Sequence, residues 1–463
     1  MSRRAPALEV PPVFRLPPIV PGSPGYETAR RVWNGFHDPH PAAVIRCSST
    51  LEIASAVRFA IERGLPLAVR GGGHSFPGYG SCDDGIVLDL APLSAVEVNP
   101  ERRIAAVGGG ATWADVDRAA AAVGLAVPGG LVSTTGVGGL TLGGGIGWLS
   151  RSWGLACDQL VAAEVVLADA TVKRASESDN SDLLWALRGG GGNFGIVSRF
   201  DFRLHELPPA GEVLGGMVLY EAAAAPSVLG EMARRAAAMP DALSTLVAFI
   251  NVPPLPFLPE AIHFAPAVAI ALCDVGEPAE AEARTLPLRR LAAPLADLVQ
   301  RLPYVEQQRI FDAGAPAGLR QYGLGVNLRS LHQGAIAALV ERAAARPTPL
   351  CQIHLHQMGG AVARIAEEAT AYAGRDAAYV VNIIATWTDP DDDERARDWA
   401  RATRSRLAGF AAPTTYLNFL GESGADRVRL AYGTAKHDRL RELKRRYDPS
   451  NLFRINANIP PAD

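Results

Sequence analysis

The stretch Arg70-Gly71-Gly72-Gly73-His74-Ser75-Phe76-Pro77-Gly78-Tyr79-Gly80 decides the reading of this chain. Three successive glycines deliver one histidine to a turn, directly after Leu65-Pro66-Leu67-Ala68-Val69, whose apolar pattern predicts a short buried strand. Glycines lack Cβ atoms, so they reach positive φ and let a ligand lie against bare backbone, where N–H groups converge on phosphate or carbonyl oxygens. The run is entropically costly and reads as a ligand-contact loop. Taken alone, a glycine-rich surface turn with an incidental histidine fits equally well. Five further glycine clusters follow: Gly108-Gly109-Gly110, Gly129-Gly130, Gly136-Val137-Gly138-Gly139, Gly143-Gly144-Gly145-Ile146-Gly147, and Gly189 to Gly195. Six clusters in one half of a chain imply backbone wrapped closely around an extended ligand.

Around these loops, residues from Ala43 to Leu207 alternate short apolar strands with helices. Ser49 to Glu52 reads as a capping box opening a helix closed by Gly64, and Thr112 to Asp115 opens a second that ends near Gly124. Strands are predicted at 86–90, 103–107, 161–168 and 196–204. Gly190 to Gly195 fits G-x-G-x-x-G, but it follows a helical segment, Asp182 to Arg188, and precedes a strand. The dinucleotide fingerprint needs strand, glycines, helix in that order, so the match is a false one.

After Leu207-Pro208-Pro209 the composition turns to alanine-rich helices near 226–239, 277–292 and 333–346. These are interleaved with strands near 213–219, 244–250, 265–273, 350–358 and 379–387. A long helix is predicted over 391–411. The expected fold class is α+β, with a second region built on an antiparallel sheet flanked by helices.

At 463 residues and 48% hydrophobic content, two or three domains are expected. A net charge of −3 with dispersed basic residues argues against a nucleic-acid or anionic-membrane partner. No apolar run is long enough to span a bilayer, and Met1-Ser2-Arg3-Arg4-Ala5-Pro6 leads into prolines rather than a signal core. Cys47, Cys82, Cys157, Cys273 and Cys351 show no C-x-x-C or zinc spacing, which predicts a reducing cytoplasm and no disulfide framework.

Five motifs then carry a family resemblance: R-G-G-G-H-S at 70–75, T-G-V-G-G-L-T-L-G-G-G-I-G-W-L-S-R at 135–151, L-W-A-L-R-G-G-G-G-N-F-G-I-V at 184–197, G-G-A-V-A-R at 359–364 and Y-D-P-S-N-L-F-R-I-N-A-N-I-P-P at 447–461. In this order they resemble the berberine-bridge-enzyme-like flavoproteins of the vanillyl-alcohol oxidase and p-cresol methylhydroxylase (PCMH) superfamily. The resemblance implies an enzyme with a PCMH-type FAD-binding domain of two α/β subdomains over 1–207 (core about 40–207), a substrate domain over 208–411, and a segment over 412–463 returning to the first. His74 matches the histidine that bonds covalently to the 8α-methyl of FAD. A neutral imidazole nitrogen is a suitable nucleophile for that bond, which anchors the cofactor and raises its potential.

By the same resemblance, FAD contacts fall to Arg70, Gly71, Gly72, Gly73, His74 and Ser75; to Thr134, Thr135, Gly138, Gly139, Gly143, Gly144, Gly145, Gly147 and Trp148; to Gly195, Ile196 and Val197; and to Asn456 and Asn458. Many members carry a second, cysteinyl bond. Here that position is Val132, so no cysteinyl link is expected, which places the chain with the monocovalent bacterial branch. Cys157 reads as a small buried thiol rather than a substitute.

Oxidation by flavin requires a hydride acceptor and, for alcohols, a base. Tyr416, in a Y-x-N pattern expected on a strand with Asn418 on the same face, is a candidate base; a core or rim tyrosine is the alternative. On the strand 351–358, His354 and His356 share one face and Gln357 takes the other, and one of these is expected to contact substrate. Two histidines without a third ligand do not argue for a metal. Thr135 and Val137 are expected beside the flavin ring where O2 approaches. The chain is expected to oxidise or oxygenate a natural-product, carbohydrate or alkaloid-like small molecule with O2 as acceptor. A dehydrogenase with another acceptor, or a non-catalytic flavin binder, is the alternative. Oligomeric state is not set by sequence.

Overall fold

The computed structural model describes residues 13–254, 256, 258–421 and 424–463; the Met1–Pro6 segment read for an export signal lies outside the described residues. Three layers of sheet organise the chain. The first is a small parallel sheet in the order Ala43–Arg46, Ile86–Asp89, Leu67–Arg70, with buried apolar side chains on both faces. The helix Thr50–Arg63 covers it. Ser49 caps that helix through its hydroxyl, which accepts from Glu52 N at 3.3 Å, and Gly64 closes it at φ 63°. The Glu52 carboxylate reaches one residue further back than a capping box requires, accepting from Ser48 N at 2.6 Å and Arg15 N at 2.5 Å.

The second layer is a five-stranded antiparallel sheet ordered Val96–Asn99, Ile104–Gly108, Ile196–Arg203, Leu160–Val166, Val172–Ser176. Its core takes Val107, Val165, Phe200 and Phe202 together with Trp113 and Val116 of the helix Trp113–Ala121. That helix opens with the expected Thr112–Asp115 capping box.

An eight-stranded antiparallel sheet forms the third layer, in the order Ala296–Asp297, Glu212–Glu221, Pro266–Asp274, Leu243–Asn251, Gln352–Gln357, Tyr379–Trp387, Arg320–Leu328, with Gln300–Pro303 also paired to Glu212–Glu221. Alternation along its strands sends Ile353, Leu355, Val381, Ile383 and Leu324 into a core covered by the helices Ala225–Arg235, Gln333–Ala344 and Asp393–Leu407. The strand Arg320–Leu328 was not foreseen from sequence. The helix expected over 277–292 stops at Thr285, because Pro287 removes a donor and disfavours the helical conformation of the residue before it. The helix expected over 391–411 is α-helical only over Asp393–Leu407, with a 3-10 turn at each end.

The C-terminal segment folds back onto the second layer around one buried ion pair. Lys444 Nζ donates to Asp448 Oδ2 at 2.6 Å, to Asn193 O at 2.8 Å and to Phe453 O at 2.9 Å, and both charged side chains are 0% exposed. Asp448 in turn accepts from Leu452 N at 2.8 Å and Phe453 N at 2.9 Å. Asn193 donates to Ala457 O and accepts from Ile459 N at 3.0 Å. The tail is thereby locked to the Gly189–Gly195 loop. Lys444→Ala leaves a buried carboxylate without its cation, and is expected to lower the unfolding free energy by about 3–5 kcal/mol. Urea melts of the purified protein measure this, and a loss below about 1 kcal/mol would show the pair to be energetically minor.

Candidate functional site

The glycine loops and the polar face of the large sheet enclose one cavity of about 440 Å³, within the range of cofactor and ligand sites. Its inner part is backbone: Gly71, Gly72, Gly73, Gly109, Gly136, Gly138, Gly139, Gly143, Gly191, Gly192 and Gly195 line it, with Arg70, Ser75, Thr135, Ile196, Val197 and Asn456. A Cβ at Gly139 would project into open space, and Gly73 holds φ 70°, where side chains are strained. Asn456 donates to Gly192 O at 3.0 Å and Phe453 O at 3.1 Å, while its buried Oδ1 has no protein partner. A long cradle of bare backbone ending in unused acceptors fits a dinucleotide-sized flavin cofactor. The Arg70 guanidinium is taken up by the protein, bonding Ala29 O at 2.6 Å, Arg31 O at 3.2 Å and Asp89 Oδ2 at 2.9 Å.

His74 lies on the wall of this cavity. Trp33 stacks on its ring with centroids 4.8 Å apart and planes 18° apart, and Thr134 Oγ1 meets its Nε2 at 2.9 Å. Burial pushes its pKa down to about 4, with the Asp312 carboxylate pulling in the opposite direction, so the imidazole is neutral at neutral pH. Val132 also lines the cavity. Cys157 does not: it is fully buried beside Ile146, Tyr372 and Tyr416.

The outer part is roofed by the large sheet. Gln352, His354 and His356 of one strand, Asn382 and Thr386 of the next, and Gln321 beyond them line it, with Trp33, Phe76, Phe311 and Phe419 as aromatic walls. No Asp, Glu or Lys lines the cavity among the described residues. Burial holds His354 at about 4 and His356 at about 3, the latter with a smaller contribution from His354. His354 Nε2 pairs with Gln352 Oε1 at 2.7 Å, whereas His356 Nε2 and Asn382 Oδ1 are buried without a protein partner. This is a polar sheet face without charge. Among the described residues no group of three or more His, Cys, Asp or Glu is placed to hold a metal ion.

Several expected contacts fall elsewhere. Gln357 does not line the cavity; sheet alternation sends it to the opposite face, where it bonds Thr245 Oγ1 and Ala236 O. Trp148 stands behind the wall, stacked on Phe311 at 5.6 Å. Gly144, Gly145 and Gly147 are also set back, because the room they leave is filled by Tyr372, by Ala156 and by the Gly129 carbonyl. Asn458 lies outside the lining, and Val137 points into the core of the second layer. Thr134 touches the site through His74 alone. The Y-x-N segment is not a strand but a 3-10 turn, Leu417–Phe419, which still brings Asn418 Nδ2 to Tyr416 Oη at 2.9 Å. Tyr416 Oη also accepts from Gly145 N at 3.1 Å and Ile146 N at 3.3 Å. Burial outweighs these donors and pushes its pKa to about 12. Trp33, Phe311, Asp312 and Asn382 were not singled out from sequence.

Comparison with known proteins bears on the fold and the cofactor class. A model of the FAD binding domain matches residues 41–176, and one described as berberine and berberine like matches 415–460. (R)-6-hydroxynicotine oxidase of Paenarthrobacter nicotinovorans is 31% identical over 96% of this chain and 96% of that protein. An FAD-linked oxidoreductase of Dictyostelium discoideum is 29% identical over 95% and 93%. The crystal structure of 6-hydroxy-D-nicotine oxidase from Arthrobacter nicotinovorans superposes with a TM-score of 0.86 at 27% identity, covering 98% of this chain and 100% of that one. Fold, cradle and relatives together define an FAD-dependent oxidoreductase with a PCMH-type FAD-binding fold. Within that class, the chain belongs to the berberine-bridge-enzyme-like FAD-linked oxidoreductases.

The neutral histidines also set an acid limb of stability. His74, His205 and His354 at about 4 and His356 at about 3 all lie below the ordinary 6.5, so the unfolded chain binds protons first as pH falls. Stability should therefore drop between pH 6.5 and about 4, partly offset by Asp117, which burial raises to about 7. Urea melts across this window should show a shallower drop for a His354→Asn, His356→Asn double variant; an unchanged slope would contradict the assignment.

Proposed function

We propose that the chain is an oxidase with a single covalent tether, FAD being attached at His74 through its 8α carbon, and that it oxidises an uncharged natural-product, carbohydrate or alkaloid-like substrate with O2 as acceptor. The observation that carries this reading is the setting of His74. The ring is stacked by Trp33, held at Nε2 by Thr134 and kept neutral by burial, which leaves Nδ1 available as a nucleophile. Val132 offers no thiol for a second link.

Bound FAD supplies the two-electron acceptor for the hydride leaving the substrate. The protein's share is to bind, orient and exclude water. The aromatic walls bury a flat or ring-bearing substrate, and the polar sheet face offers His354, His356 and Asn382 as hydrogen-bonding partners without fixed charge. Tyr416 at about 12 keeps its proton at neutral pH. In this reading it orders the Gly143–Gly147 loop by accepting from Gly145 N and Ile146 N, and Asn418, the third donor to its Oη, fixes it there by also donating to Leu140 O at 3.0 Å. Neutral His354 is the better acceptor for a substrate hydroxyl. Among the described residues no helix is long and apolar enough to cross a membrane, and the five cysteines are free thiols, which supports a reducing cytoplasmic setting.

Acid precipitation of the purified protein should leave yellow, flavin-fluorescent polypeptide, and His74→Ala should release all of it. Reduced enzyme mixed with air should reoxidise within the turnover time and release H2O2. Sluggish reoxidation with rapid turnover on an artificial acceptor would instead establish a dehydrogenase.

A further inference from the structure

The ring of His74 is gripped from two directions, and both grips are anchored on one short segment of the region between the cofactor loops. Trp33, stacked on the ring, donates its indole N–H to Ala315 O at 3.1 Å. Thr134, on the ring's Nε2, follows Ser133, whose backbone N–H and hydroxyl donate to the two carboxylate oxygens of Asp312 at 2.8 Å and 2.6 Å. A few residues upstream, Gln308 ties the same loop at Gly130 O, 3.2 Å, and donates to buried Asp117 at 3.0 Å. The neighbouring Phe311 lines the cavity.

Asp312 is more than a mechanical strut. Arg309 Nε, at 3.8 Å, belongs to an exposed side chain and balances it only loosely. Asp312 is also the charge that opposes the burial of His74.

We propose that Asp312 is a positioning residue for the covalent attachment of flavin at His74. It fixes Ser133 and Thr134 so that Nε2 is held and Nδ1 is presented, and its charge stabilises the positive charge the imidazole acquires as it is alkylated. This inference rests on the reading of His74 as the tether. In the step concerned, an N–C bond forms between Nδ1 and the 8α carbon, and one C–H bond of that methyl breaks. Its electron pair reduces the flavin ring; O2 then takes those two electrons, with the methyl proton and the imidazole Nε2 proton, as H2O2. A carboxylate acting on an imidazole that becomes cationic plays the part the aspartate plays in a Ser-His-Asp triad.

The test compares wild type, Asp312→Asn, Asp312→Glu and Thr134→Val, each expressed under riboflavin limitation so that full-length protein without flavin is obtained, and then incubated with FAD in air from pH 5 to 9. The rate at which flavin becomes acid-stable is read throughout. Asp312→Asn should slow attachment about ten- to hundredfold, and Asp312→Glu should restore part of the loss. Reversible FAD binding, measured in a His74→Ala background, should be unchanged by Asp312→Asn. Attachment at the wild-type rate in Asp312→Asn overturns the proposal, as does a parallel weakening of reversible binding, which would mark a merely structural role. Should Asp312→Asn not fold, Thr134→Val carries the test: slowed attachment supports the relay and a normal rate overturns it. Complete release of flavin from acid-treated wild type is a different outcome, and overturns the tether itself.

Discussion

Two stretches of backbone cross without side chains at Gly72 and Gly136, and the geometry of the site depends on that crossing. A Cβ on either residue would overlap the backbone nitrogen of the other. The contact joins the loop after the parallel sheet to the loop that opens the short helix Val137–Leu142, so it brings His74 within reach of Thr134. Any side chain there would push the two units apart. The cradle would widen, and the grip on the imidazole would be lost before any catalytic group was touched.

The large sheet shows a second constraint, this one at odds with stability. A sheet with an apolar layer of helices on one face gains little from burying glutamine, two histidines and asparagine on the other, since each buried polar group requires a partner. Burial keeps the histidines neutral, and His356 Nε2 and Asn382 Oδ1 go unpartnered. The arrangement is understood as a ligand-facing surface. In the proposed function its lack of fixed charge disfavours an ionised substrate, which would enter without a counter-charge and bear the full desolvation cost.

Much of this was legible in the sequence. Glycine clusters, capping residues and short apolar strand patterns placed the cofactor half of the chain, and five ordered motifs gave its fold and cofactor. The strand Arg320–Leu328 was missed, and Gly323 and Gly325 interrupt its apolar pattern. In the structure they allow close approach, a Cβ at Gly323 lying 2.9 Å from the Phe76 ring and one at Gly325 2.9 Å from Phe419 Cβ. Sequence cannot tell a glycine facing a cavity from one facing a side chain: a Cβ at Gly139 would meet open space, whereas one at Gly143 would meet Asn418 and one at Gly144 would meet Tyr372. Asp312 and Trp33 left no local signal, since Asp312 meets Ser133 across 179 residues and Trp33 reaches His74 only after a strand, a helix and a second strand have intervened.

The tail closed by Lys444 has a temporal meaning. Its contacts with the Gly189–Gly195 loop span 251 residues or more, and the whole antiparallel sheet lies between the two partners in sequence. Contacts of such separation form late, after the intervening region has condensed. The cofactor bed is therefore among the last parts of the molecule to be finished. A flavin captured there certifies a completed fold, and a chain stalled midway has no bed to offer it.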